Sequence, residues 1–104
     1  MSYIQSMVEI RQTAVFRDWV ERLRDRRAKA KIAIRIARFE AGNPGDVEPV
    51  GEGVSEMRIN YGPGYRIYFT RKGAVVVVLL CGGDKGSQKA DIARAKKLAA
   101  GLEE

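Results

Sequence analysis

The first part of the chain changes from an alternating to a helical pattern of apolar positions. Val8 and Ile10 alternate with polar neighbours and predict a short, half-buried strand. After Thr13, which suits an N-cap, apolar residues recur at helical spacing, and they do so again between Asp25 and a stop at residues 42–45. We predict a helical hairpin whose buried faces comprise Phe16, Trp19, Val20 and Leu23 in the first helix and Ala28, Ile32, Ile36 and Phe39 in the second.

Alternation with a period of two then returns and predicts a sheet. Residues 54–61 and 65–71 alternate apolar with polar side chains, and residues 62–64 form the turn between them. Residues 47–50 predict a short edge strand, because Pro49 cannot donate to a central ladder. Tight turns between consecutive strands indicate antiparallel pairing.

The last strand and helix complete the predicted fold. Residues 74–80 are continuously apolar, as in a central strand covered on both faces, and Gly82-Gly83 should end it. A C-terminal helix follows, with an apolar face of Ile92, Ala95, Leu98, Ala99 and Leu102. We predict one α+β domain over residues 1–104, with an N-terminal strand and helical hairpin packed on a mostly antiparallel sheet of four or five strands. The helices should cover one face and leave the other open.

Charge narrows the class of partner. The 104 residues carry 19 basic and 13 acidic side chains, and within residues 22–38 the only acid is Asp25. Such clustering is typical of nucleic-acid binding, and a solvated helix face is the alternative. A membrane surface fits less well, because the core needs the apolar face of this segment. We predict contacts with RNA from Arg26, Arg27, Lys29, Lys31 and Arg35.

Composition disfavours several chemistries. The chain has no His, the commonest acid–base group and metal ligand, and we predict neither a metal site nor a cofactor. Cys81 is the only cysteine, which excludes an internal disulfide and favours a buried thiol in a reducing cytoplasm. No apolar stretch is long enough to span a membrane.

Polar residues suited to a phosphate lie on adjacent predicted strands. Arg58, Arg66 and Tyr68 share one face if the alternation holds. Two guanidiniums on a rigid sheet would present planar donor forks to a phosphodiester. The alternative is that Arg58 pairs with Glu56 or another surface acid.

A glycine-rich loop joins the central strand to the last helix. In residues 82–87 the glycines would let a ligand approach the backbone, and Lys85 adds a cation, but the spacing is not that of a P-loop. A connecting turn with Ser87 as N-cap explains the same residues. The loop should lie beside the strand that carries Arg66.

Several segments together resemble a known family. They are FRDW at 16–19, SEMR at 55–58, GYRIYF at 64–69, LCGGDKGSQ at 80–88 and DIARA at 91–95. They are similar to the addiction-module killer proteins, which are HigB-like toxins of the RelE/ParE superfamily. The resemblance implies a RelE-like fold and the toxin of a type II toxin–antitoxin pair. The implied partner is a small antitoxin, often a helix-turn-helix protein, through which the complex binds operator DNA.

The resemblance also implies an activity and roles for residues. Members on the RelE side cut mRNA in the ribosomal A site, whereas members on the ParE side poison DNA gyrase. By similarity, Arg66 stabilises charge on the phosphoryl group, Arg58 assists, and Lys85 is a basic loop residue of the site. The His of many relatives is missing, so Lys85, Tyr68 or Glu56 must serve as acid or base.

We therefore predict a ribosome-dependent mRNA endonuclease that arrests translation in the cytoplasm. Its basic helical residues would bind the ribosome, and Arg58, Arg66, Tyr68 and Lys85 would form the catalytic site. One alternative is a DNA gyrase inhibitor that acts by binding. Another is a degenerate toxin that serves only as antitoxin partner and co-repressor.

Overall fold

Helices and strands follow one another in the predicted order. The computed structural model describes residues 7–102, and residues 1–6 and 103–104 lie outside the described part. No helix within the described part is long and apolar enough to cross a membrane. The elements are β1 (Glu9–Gln12), α1 (Ala14–Arg22), α2 (Arg26–Glu40), β2 (Val47–Gly51), β3 (Val54–Ile59), β4 (Tyr65–Lys72), β5 (Val76–Gly83), a 3-10 turn (Lys85–Ser87) and α3 (Gln88–Ala100).

The strands form one five-stranded sheet in the order β1-β5-β4-β3-β2. Only β1 and β5 pair in parallel, and the other three pairs are antiparallel. The prediction of an α+β fold with a mostly antiparallel sheet is therefore confirmed. Pro49 lies in β2 at the edge, where its missing N–H leaves no central ladder bond unmade.

The helical hairpin covers one face of the sheet. The Thr13 side chain accepts a bond from the Phe16 amide and starts α1, and Asp25 accepts from the Arg27 and Ala28 amides and starts α2. Burial of each large apolar side chain contributes about 1.5–3 kcal/mol, so this face supplies much of the stability. Its buried core consists of Phe16, Ile32, Phe39, Met57, Ile59, Ile67, Phe69, Val77 and Leu79.

The opposite face is covered by α3, so the prediction that it lies open is wrong. Ala95 of α3 is fully buried, and Ile92 and Leu98 pack beside it against the sheet. Because the hairpin covers the first face of the sheet, the apolar side of α3 is buried against the second face. The second core consists of Val54, Tyr68, Val78, Leu80, Cys81 and Ala95.

The prediction that Gly82-Gly83 ends the central strand is also wrong. Strand β5 continues through Gly83, because Gly82 and Gly83 still pair with Ile67 and Arg66 of β4. A Cβ on Gly82 would collide with the Trp19 ring, and one on Gly83 would collide with the Asp91 carboxylate. These glycines let α1 and α3 approach the backbone of the sheet.

Candidate functional site

Arg58 and Arg66 are directly opposite one another in the β3–β4 ladder. Both lie on the face covered by α3, two ladder positions beyond the pair of Glu56 and Tyr68. Lys85, in the turn before α3, joins them in an open pocket of about 330 Å³ at this end of the sheet. The structure thus brings together three cations that the sequence singled out.

Arg66 has no neutralising partner. Within residues 7–102 its side chain forms no hydrogen bond or ion pair, and its buried Nε has no acceptor. A buried donor without an acceptor costs about 1–3 kcal/mol. Of the two arginines in this pocket, Arg66 is therefore the one whose charge no acid neutralises.

Arg58 is enclosed by acidic side chains. Its Nη2 donates to Asp46 Oδ1 at 3.0 Å and to Glu48 Oε1 at 2.6 Å, and its Nη1 lies 4.0 Å from Glu56 Oε2. Hydrogen bonds to Asp46 and Glu48 raise the pKa of the Arg58 guanidinium. The alternative interpretation of Arg58, pairing with a surface acid, describes the observed arrangement, although its Nε is still without an acceptor.

Sequence reasoning missed Asp46 and Glu48. Asp46 lines the pocket directly, and Glu48 lies opposite Glu56 in the β2–β3 pair. The alternation of β2 was visible in the sequence, but its register against β3 was not. The irregularity between Pro49 and Gly51 shifts that register and decides which acids meet Arg58.

Arg35, predicted to contact RNA, donates two hydrogen bonds to the backbone beside the site. Its Nη1 donates to the Arg58 carbonyl and its Nη2 to the Pro44 carbonyl at 3.1 Å. Gly45 has a φ of +76°, and a Cβ there would lie 2.9 Å from Arg35 Nη2. Burial lowers the pKa of Arg35. The guanidinium thereby links α2 to both segments that carry the Arg58–Asp46 pair.

The other predicted RNA contacts lie on the helical surface. Arg26, Arg27 and Lys31 are exposed, and Lys31 Nζ lies 5.3 Å from the centre of the Tyr61 ring. Lys29 is half-buried, with its Nζ donating to the Glu21 carbonyl at 3.3 Å. These residues form a basic surface on the hairpin, separate from the pocket cations.

Tyr68 shares a face with Arg66 as predicted, but it is fully buried. It lies opposite Glu56, which is 3% exposed and accepts a hydrogen bond of 2.8 Å from Gln88 Nε2. Burial, with the charges of Glu56 and Asp91, raises the pKa of Tyr68. Its hydroxyl has no hydrogen-bond partner within the described chain. Tyr68 and Glu56 therefore lie beneath the pocket, in the core under α3.

The loop that carries Lys85 is held by its own side chains. Asp84 accepts bonds from the Gly86 and Ser87 amides at 2.8 and 3.3 Å. Ser87 occupies the N-cap position of α3, as predicted, but its hydroxyl donates to Asp91 rather than to the helix backbone. The loop amides are thus engaged internally, and Lys85 is the loop's contribution to the pocket.

Fold and pocket define a small α+β protein with a cationic site at one end of its sheet. Comparison with known proteins gives the family. Residues 18–100 match the family described as Phage derived protein Gp49-like (DUF891), and the chain belongs to this RelE/toxin-like family. An uncharacterized protein of Haemophilus influenzae is 48% identical over 92 residues, which cover 88% of this chain and 93% of that protein.

Proposed function

We propose that the protein is the toxin of a type II toxin–antitoxin system and cuts mRNA on the ribosome. Membership of a RelE/toxin-like family supports the toxin class. The observation that carries the activity is Arg66, which has no acidic partner among the described residues, next to Lys85 in an open pocket. In this proposal the fold is RelE-like and the protein is HigB-like.

The proposed reaction is an attack of a ribose 2′-hydroxyl on the adjacent phosphorus. Asp46, which lines the pocket, accepts the 2′-hydroxyl proton, while Arg66 stabilises the charge that develops on the phosphoryl oxygens. The bond from phosphorus to the 5′-oxygen breaks, and the Lys85 ammonium protonates the leaving oxygen. The products are a 2′,3′-cyclic phosphate and a 5′-hydroxyl. Arg58 orients Asp46, and Tyr68 supports Arg66 from below.

Other parts of the surface have roles in the same proposal. The exposed Arg26, Arg27 and Lys31, with Lys29, dock the toxin on ribosomal RNA in the cytoplasm. A small antitoxin, of the helix-turn-helix kind, neutralises the toxin and brings the complex to operator DNA. Arg35 is assigned to bracing and not to docking.

Expression of the toxin without antitoxin tests this function. We expect growth arrest, new 5′-hydroxyl ends in mapped cellular mRNA, and unchanged DNA supercoiling, with Arg66→Ala removing both arrest and cleavage. Loss of supercoiling with intact mRNA would establish the gyrase alternative instead. Harmless expression of the folded protein would indicate the degenerate toxin.

The role of Asp46 is tested against its neighbour. Asp46→Asn and Glu48→Gln each remove one acid from the same Arg58 nitrogen, but only Asp46 lines the pocket. We expect Asp46→Asn to lower the cleavage rate by about 10²–10⁴, with little loss for Glu48→Gln. Equal losses would mean that both acids act only by holding Arg58.

A further inference from the structure

A second, smaller groove adjoins the candidate site at the end of β3. It has a volume of about 210 Å³ and lies between α2 and the β3 end. Ile59 and Asn60 line both this groove and the pocket that holds Arg66. The groove and the Arg66 pocket therefore share a boundary, across which a bound chain can extend from one into the other.

The groove combines an apolar surface with positive charge. Ile34 is 50% exposed, although it is a large apolar side chain on a helix. Lys31 and Arg38 line the same groove, and none of its lining residues is acidic. An apolar patch beside cations fits a ligand with a flat face and an anionic backbone, and disfavours a basic peptide.

The size of the groove limits its occupant further. Sites for drug-sized ligands usually have volumes of roughly 300–1,000 Å³, so this groove suits one nucleobase better than a large cofactor. Asn60 is exposed at the boundary between the two pockets, where its amide can donate to and accept from a base edge.

We propose that this groove is a subsite for the nucleotide of single-stranded RNA that flanks the cleaved bond. Ile34 contacts the base, Asn60 reads its edge, and Lys31 and Arg38 contact the phosphate. The inference rests on the proposed RNA-cutting function, but it concerns binding and not chemistry. Arg35, also in the lining, is committed to backbone carbonyls and contributes little to the ligand.

Binding of a fluorescent single-stranded hexaribonucleotide to the full chain tests the subsite. The double variant Lys31→Gln/Arg38→Gln removes two cations from the groove, and Lys89→Gln/Lys97→Gln removes two exposed cations from α3. We expect the slope of log affinity against log salt to fall by about 1.4 for the groove variant, at about 0.7 per phosphate contact. The control should retain the slope. Equal changes in both would overturn the subsite, because they would show diffuse attraction only.

A neutral substitution separates base contact from charge. Ile34→Thr should weaken binding of the hexaribonucleotide about fourfold and leave the salt slope unchanged. Unchanged affinity would overturn the base contact, as would absence of RNA binding by the unsubstituted protein at low salt. Groove-dependent binding without mRNA cleavage in cells would sink the proposed function but not the subsite. If the groove variants lost antitoxin binding but still bound RNA, the groove would be a site for a protein partner, and the proposal would be overturned.

Discussion

The pocket has one arginine on each of two paired strands, Arg58 on β3 and Arg66 on β4, and the two differ in the side chains that surround them. On the β3 side, Asp46 and Glu48 bond Arg58, and Glu56 lies 4.0 Å away. On the β4 side, Arg66 has no partner among the described residues. The difference teaches that two arginines paired across a ladder can have unlike surroundings, because the fold supplies competing acids to Arg58 and none to Arg66.

The contrast also separates two tasks within one site. Arg58 is held on several sides, by acids at its side chain and by Arg35 at its carbonyl, and it acts as a support. Arg66 retains an unneutralised charge, and in the proposed function this charge meets the substrate. Four changes, taken from the largest expected effect to the smallest, would break or sharpen this contrast.

The largest effect is expected for removal of the unpaired guanidinium. Arg66→Ala should lower cleavage of ribosome-bound mRNA by about 10²–10³, because an electrostatic stabiliser of the transition state is lost. Arg58→Ala should cost less, since its charge is already neutralised by acids. Arg71→Ala, on the same strand but beside the Phe39 ring, is the control, with folding checked by circular dichroism. Equal losses for Arg58 and Arg66 would contradict the contrast.

The buried thiol of Cys81, under α3, should make the protein less stable at alkaline pH. Burial raises the pKa of Cys81, which is opposite Tyr68, from 9.0 to about 11. The folded thiol stays protonated while the unfolded one ionises, so stability is complete below pH 9.0 and falls as the pH rises towards 11. The loss is on the order of 2–3 kcal/mol.

Urea unfolding at pH 8 and at pH 10.5 measures this loss. Cys81→Ala should have a lower urea midpoint than the parent at pH 8, because a buried side chain is truncated. Between pH 8 and pH 10.5, however, its midpoint should fall less than that of the parent. A remaining decline above pH 10 is expected in both proteins, since burial also raises the pKa of Tyr68. The same decline in the variant and the parent would show that Cys81 contributes nothing to it.

A substitution beside Arg35 should lower the stability of the protein, because Arg35 holds the backbone on the β3 side of the pocket. Gly45 and Gly73 have φ values of +76° and +74°, but only at Gly45 would a Cβ meet Arg35. Gly45→Ala should therefore destabilise the protein by about 1–2 kcal/mol more than Gly73→Ala, because overpacking adds to the shared backbone strain. Thermal unfolding of the two variants gives the difference. Equal midpoints would mean that the Arg35 side chain moves away from the new methyl group without loss of stability.

The smallest effect is expected when Arg58 is made to resemble Arg66. The pair Asp46→Asn and Glu48→Gln releases the guanidinium from partly exposed ion pairs worth about 0.2–1 kcal/mol each. Affinity for the hexaribonucleotide should rise about two- to fivefold. Glu52→Gln removes an acid that pairs with Lys96 at 3.5 Å, and it should leave the affinity unchanged. An equal rise with Glu52→Gln would reveal a general effect of net charge.

Much of the fold was predictable because it depends on local periodicity. Alternation in β3 and β4 correctly placed Arg58 and Arg66 on one face, and these two predicted strands end within two residues of their observed ends. The apolar stripe of α3 was also visible. Side-chain period is a property of neighbouring residues, so a short window of sequence contains it.

Local periodicity does not tell which helix covers which face of the sheet. The pattern shows that Tyr68 and Arg66 point to the same side, but it does not say that α3 will bury one and not the other. That outcome depends on where a distant helix begins, since Gln88 meets Glu56 two ladder positions before the arginine pair. Exposure is therefore a tertiary property.

The sequence by itself determined the elements, their apolar faces and the three cations of the candidate site. Only the tertiary structure decided which of those cations are available. Glu48 comes from an edge strand whose register depends on a local irregularity, and Asp46 comes from the residue before that strand. The brace from Arg35 comes from a helix 23 residues away in sequence. Ion pairs and hydrogen bonds between such segments depend on distances in space, and a one-dimensional pattern of polar positions does not contain those distances.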